Sequence, residues 1–208
     1  MKRIVSLLLS LVLISSLVSA AEIKYYAYGD SYTACYGSAE CYVHNIEPGA
    51  ISDHNTDGIC HTSAWGLRNL GTHYNTSQKY VLIMFGRNDE HNNINPLTTA
   101  KNLEKMYRLV ESNGSQAVIL LRPLTDPSTH QDARKNISIV ESYLTFMNVP
   151  HIGLYDSIDS IPDNGIMDGW VNRGNYQPDG SHQTSAGQVR MGNYLWNHYY
   201  SSFPPGAP

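Results

Sequence analysis

The sequence predicts an α/β domain built on a mostly parallel sheet covered on both faces. One observation is the run Tyr80-Val81-Leu82-Ile83-Met84-Phe85, apolar without alternation, which is the pattern of a strand buried on both sides. Another is that such runs alternate along the chain with segments of helical periodicity. A third is that the runs end in Gly29-Asp30-Ser31 and Gly86-Arg87-Asn88-Asp89. In parallel sheets, sites form beyond the carboxyl ends of the strands, so both blocks fall on one rim.

Met1 to Ala20 are set apart from the domain. Lys2 and Arg3 give a positive start, Ile4 to Leu17 is apolar but for serines, and Val18-Ser19-Ala20 supplies small residues for cleavage before Ala21. The apolar run is short for a membrane span, though an uncleaved anchor is the alternative. The expected product is a secreted, extracellular chain of one domain, residues 21–208, with no stable membrane insertion after cleavage. Removing those 20 of the 208 residues leaves 188, enough for one substantial core. The formal charge moves from −4 to −6, because Lys2 and Arg3 leave with no acid. With no basic tract, nucleic acid and anionic membrane surfaces are disfavoured as partners.

The first strand is the aromatic run from Tyr25 to Tyr28, ending at Gly29. Glycine allows a sharp turn there, and the spacing predicts a helix mouth just after it, where Ser31 would meet free N–H groups. The same Gly-Asp-Ser also makes a simple turn with an N-cap. Tyr32 to Asp57 is irregular, with a short strand near Ala50 to Ser52. Thr62-Ser63 caps a helix running to about Tyr74. After the Tyr80 strand, a helix from about Thr98 to Asn113 places Leu103, Met106, Tyr107 and Val110 on one face and stops at Gly114. Gln116 to Leu121 is another buried strand. Asp132 to Asn148 is a helix with Ile137, Val140, Leu144 and Met147 inward, and His151 to Leu154 is a short strand. A long Gly/Asp/Asn loop then leads to Asp179-Gly180-Ser181-His182 and a last helix from about Ser185 to Tyr199.

Three cysteines, Cys35, Cys41 and Cys60, lie in one early region. In an oxidising compartment one pair bridges and one thiol remains; three pairings are open. No C-x-x-C suggests a zinc ribbon or a thioredoxin-type site. Asn75, Asn113 and Asn136 begin N-glycosylation triplets.

Four sequence signals carry candidate chemistry. Ser31 is a potential nucleophile. Asp179 precedes His182 by three residues, so on one helical turn the two share a face, and the carboxylate can take the Nδ1 proton and leave Nε2 as a base. A capped surface turn is the plainer reading of that pair. Asn88, just past a buried strand, can aim its amide at a developing oxyanion. Gly58 can bring a bare backbone N–H close to substrate; Asp89 suits bracing the loop. His61, Asp57 and His91 show no ligand spacing for a metal.

A strand-end Gly-Asp-Ser, an isolated glycine, a strand-end Gly-x-Asn-Asp and a late Asp-x-x-His, in that order over the mature chain, resemble the SGNH (GDSL-type) hydrolases. Gly58 is placed by position, with Gly66 and Gly71 as rivals, and Tyr32 stands where that family's motif has leucine. The absence of G-x-S-x-G separates the chain from ordinary α/β-hydrolases. The resemblance implies a flavodoxin-like three-layer α/β/α sandwich around about five parallel strands. It implies an esterase with Ser31 as nucleophile, His182 as base then acid, Asp179 as its orienter, and an oxyanion hole of the Ser31 and Gly58 N–H groups with the Asn88 amide. No metal or cofactor is required. The expected substrate is a small-molecule or polysaccharide ester, favouring carbohydrate O-acetyl or short-chain esters, since much exposed tyrosine, with Trp65 and Trp170 near the rim, suits stacking on sugar rings; the plainer reading places such aromatics mostly in the core. A lysophospholipase or lipase is the nearer rival, and a catalytically idle glycan-binding module the more distant one.

Overall fold

The structure is a computed structural model that describes residues 25–46, 51–52, 60–74, 78–124, 133–158 and 173–199. The expected leader at 1–20, Gly58, Trp170 and one of the three glycosylation triplets, residues 75–77, lie outside the described residues. Five strands form one sheet in the order β2-β1-β3-β4-β5: β1 (Tyr25–Gly29), β2 (Ile51–Ser52), β3 (Tyr80–Met84), β4 (Gln116–Leu121) and β5 (His151–Gly153). Every pairing is parallel. The predicted sheet is therefore present, with β1 beside β3 at its centre.

Side chains of successive strand residues point to opposite faces, and here both faces are apolar. Tyr25, Ala27, Leu82, Met84, Val118 and Leu120 form one core with Met191 and Leu195 of the last helix. Tyr26, Tyr28, Val81, Ile83, Ala117 and Ile119 form the other, under the remaining long helices. This is the three-layer α/β/α arrangement. The helices are α1 (Ser63–His73), α2 (Arg87–His91), α3 (Pro96–Ser112), α4 (Ala133–Phe146) and α5 (Ser185–Tyr199). Helix α1 begins where the sequence indicates, with the Thr62 side chain accepting from the Trp65 amide. Helix α3 starts earlier than predicted, because Asn95 caps it and Pro96 occupies its first turn.

Two local expectations differ from the structure. No helix follows Ser31: residues 31–37 form consecutive turns, with Cys35 at φ +54°. That left-handed residue stops helical propagation, and its sulfur is bridged to Cys41 across six positions. The open choice of cysteine pairing is thus resolved, leaving Cys60 as an exposed free thiol. The tyrosines are also mostly core rather than exposed: Tyr25, Tyr26, Tyr28, Tyr32, Tyr42 and Tyr80 are all buried. In a sheet covered on both sides, a strand tyrosine has no solvent face to occupy.

Candidate active site

Ser31 sits two residues beyond the end of β1. Gly29 at the strand end is required by crowding, since a Cβ there would lie 2.1 Å from Thr33 Oγ1 and 2.4 Å from the Met84 carbonyl oxygen. The Asp30 amide donates to that same carbonyl at 3.2 Å, fixing the exit from β1 against β3. Two residues beyond β3, Gly86 adopts φ +130°, a conformation L side chains avoid, and turns the chain directly into α2. That short helix carries Asn88 and Asp89, both buried.

His182 is 151 residues from Ser31, yet its Nε2 lies 2.9 Å from Ser31 Oγ. Its Nδ1 lies 2.6 Å from Asp179 Oδ2. With Nδ1–H donated to the carboxylate, Nε2 is left to accept the serine hydroxyl proton. Asp179 and His182 do not share a helical turn as the spacing suggested. They occupy a tight loop in which Asp179 Oδ1 accepts from the Ser181 and His182 amides at 2.9 and 3.0 Å. Gly180 at φ +67° makes this loop possible, and the Gln177 amide closes it on the His182 carbonyl at 2.8 Å. Burial raises the Asp179 carboxyl, but the bonds from the His182 ring and from the two amides outweigh it, so its pKa is lowered overall.

Asn88 Nδ2 donates to the His61 carbonyl at 3.0 Å, which spends one amide hydrogen and leaves the other unclaimed among the described residues. The Ser31 amide likewise has no acceptor among them. Gly66 is excluded as an alternative donor because its amide bonds Thr62 O within the start of α1, at 3.0 Å. Gly71 is also interior to α1. Asp89 acts as a brace: it accepts from the Ser63 amide at 2.7 Å and from the Ser63 and Thr99 hydroxyls at 2.5 and 3.0 Å. It thereby ties α2 to α1 and α3. Trp65 is stacked on the His61 ring, centroids 3.5 Å apart, so one of its faces is already covered.

Two features of the site were not foreseen. Ser181 Oγ receives Arg87 Nε at 3.0 Å and pairs with the Tyr32 hydroxyl at 3.0 Å. Tyr32, in place of the motif leucine, therefore makes a buried polar contact; only its adjacency to Ser31 could have pointed to it. The second feature is Asp30, 3% exposed, whose Oδ1 accepts from the Tyr32 amide while Oδ2 has no partner among the described residues. Burial pushes its pKa up to about 7, against the opposing pull of the Tyr32 amide and the Arg122 and Arg87 charges. Arg122 itself is buried in an ion pair with Glu90. That pair lies against a small apolar hollow of about 30 Å³ at the β3–β4 end of the rim, lined by Phe85, Ile94, Pro96, Leu121, Ile137 and Val140 among others.

The whole arrangement matches known folds. The lipase/acylhydrolase from Enterococcus faecalis superposes with a TM-score of 0.66 at 19% identity, covering 89% of this chain and 99% of that one. The psychrotrophic esterase EstA from Pseudoalteromonas sp. gives 0.64 at 16% identity, covering 86% and 98%. A member of the lipolytic protein G-D-S-L family from Veillonella parvula DSM 2008 gives 0.64 at 15% identity, covering 85% and 97%. No family model matches the sequence, and no curated protein does. At these identities the shared property is the fold: the three-layer sandwich of the G-D-S-L hydrolases, over most of the chain.

Proposed function

We propose that the protein is a secreted serine esterase that cleaves carboxylic esters through an acyl-serine intermediate, with carbohydrate O-acetyl or other short-chain esters as substrates. The observation that carries the reading is the Ser31–His182–Asp179 chain of contacts, at 2.9 and 2.6 Å, on the rim of a parallel sheet. It draws support from structural neighbours described as an esterase and a lipase/acylhydrolase. In the acylation step, Ser31 Oγ attacks the ester carbonyl carbon as its proton passes to His182 Nε2. Negative charge collects on the carbonyl oxygen, where the Ser31 amide, the second amide hydrogen of Asn88 and the Gly58 amide are the donors. Collapse of that intermediate expels the alkoxide, which takes the proton from His182. Water, deprotonated by the same imidazole, then releases the acid. Asp179 keeps the ring in the required tautomer throughout.

The leader at 1–20 supports export, and the chain's acidity accords with a neutral ester substrate. The neighbour described as a lipase/acylhydrolase favours a second reading, an acyl hydrolase of longer chains, which a panel of p-nitrophenyl esters of increasing acyl length separates from the first. The test of the proposal is Ser31→Ala with a fluorophosphonate probe. The unaltered protein takes the label and hydrolyses p-nitrophenyl acetate, while the folded variant does neither. Retained turnover in Ser31→Ala, or no label on the folded unaltered protein, overturns it.

A further inference from the structure

Tyr36 has a position that the reaction steps above leave unused. Its ring centroid lies 5.1 Å from that of His182, at an interplanar angle of 55°. It is 48% exposed, in contrast to Tyr32, whose centroid lies 5.7 Å from that of His182 and which is 1% exposed. The exposed ring nevertheless stands on fixed backbone. The Tyr36 amide donates to the Ser31 carbonyl at 3.1 Å, and the Tyr36 carbonyl accepts from Gln177 Nε2 at 2.7 Å. The preceding residue is bridged to Cys41, and Ser38 meets the Ser185 hydroxyl at 3.2 Å. Gly37 follows at φ +72°, packed so closely that a Cβ would lie 2.5 Å from Gln177 Oε1. The segment is thus fastened both to the nucleophile's turn and to the loop and helix around His182.

Resting on the esterase reading, we infer that Tyr36 forms the alcohol-side subsite and stacks on the ring of a pyranose whose acetyl ester is cleaved. The leaving oxygen must come within hydrogen-bond reach of His182 Nε2 to be protonated. Whatever that oxygen is attached to is therefore held within a ring's width of the imidazole, where Tyr36 stands. An aromatic face left in water is unfavourable on its own, and the apolar C–H face of a pyranose covers it. Because the backbone is already fixed, little ordering entropy opposes such stacking. Sugar recognition then falls to this residue rather than to Trp65, one of whose faces His61 occupies.

The test compares two acetyl esters that differ only in the alcohol, an acetylated methyl pyranoside and ethyl acetate, with the full-length protein. In Tyr36→Ala, the ratio of kcat/KM for the pyranoside over ethyl acetate falls about 3- to 10-fold, the size of one aromatic stacking contact. The loss sits mainly in KM. Tyr36→Leu, which keeps apolar bulk without a flat face, lowers the ratio likewise, and Tyr36→Phe holds it within about twofold. If both rates fall together, so that the ratio is unchanged in Ala and Leu variants, the ring only props the imidazole and the inference is overturned. An unaltered protein that cleaves neither ester contradicts the esterase reading instead.

Discussion

Replacing Asp30 with Asn isolates an electrostatic cost located beside the nucleophile. The Asp30 carboxyl is buried, one of its oxygens lacks a partner among the described residues, and its pKa is pushed from 3.8 up to about 7. Between those values the folded chain holds a proton that the unfolded chain releases, so stability falls as pH rises and levels off above about 7. Each tenfold step is worth 1.36 kcal/mol, which makes the full cost of ionising this group on the order of 4 kcal/mol. The charges facing it are Arg122 and Arg87, which favour ionisation, and Asp89, which opposes it. An asparagine keeps an acceptor for the Tyr32 amide and mimics the protonated acid at every pH. Urea unfolding followed by circular dichroism at pH 4, 5, 6, 7 and 8 gives the stability of both proteins. The difference, Asn variant minus unaltered protein, should grow across that series by about 4 kcal/mol; a difference that stays constant with pH refutes the reasoning. The same protonation bears on the site, because a neutral Asp30 does not oppose the negative charge that the proposed reaction gathers next to Ser31.

Two further predictions address the rim. Asn88→Ala should lower kcat on p-nitrophenyl acetate by about 10²–10³ with little change in KM, as for loss of one oxyanion donor, and an unchanged kcat in the folded variant removes Asn88 from that role. Arg122→Met breaks the ion pair between the buried guanidinium and the partly buried Glu90 and should cost up to about 3–5 kcal/mol in urea unfolding, part of it recovered by adding Glu90→Met; a double variant no more stable than the single one shows that the pair does not act as a unit.

The sheet was legible because burial on both faces leaves a plain record: short, uninterrupted apolar runs such as Val81 to Met84, closed by glycine, read as strands covered on both sides. Helices α1, α3, α4 and α5 were legible for a related reason, since one buried stripe must recur every three or four residues. The segment after Ser31 was not, because its path is set by a left-handed Cys35 and by contacts with Gln177 and Ser185, remote partners that no local pattern announces. The five-residue helix carrying Asn88 was likewise too short to have a period. The tyrosines misled because the residue is amphipathic: its ring suits a core while its hydroxyl suits a surface, and composition cannot say which wins. At Tyr28 the core wins because its hydroxyl finds the Gly66 carbonyl at 2.9 Å.

The site itself was readable in outline because each block is short and keeps its residues adjacent, but adjacency does not explain how blocks 151 residues apart reach one crevice. Part of the answer is a single hydroxyl. Ser181 immediately precedes His182, Tyr32 immediately follows Ser31, and Arg87 immediately precedes Asn88; the three meet at Ser181 Oγ. A serine oxygen has two lone pairs and one proton, enough to accept from the guanidinium and still bond the phenol. Each contact is therefore one residue removed from a group proposed to touch substrate, and constrains that group through the rigid peptide between them. Ser181 and Tyr32 are buried, so opening the node would leave polar atoms without water to replace the lost bonds. The leucine usual after the nucleophile in the motif this chain resembles cannot join such a node; with tyrosine there, packing beside the nucleophile becomes a directional tie between the strand-end blocks and the histidine loop.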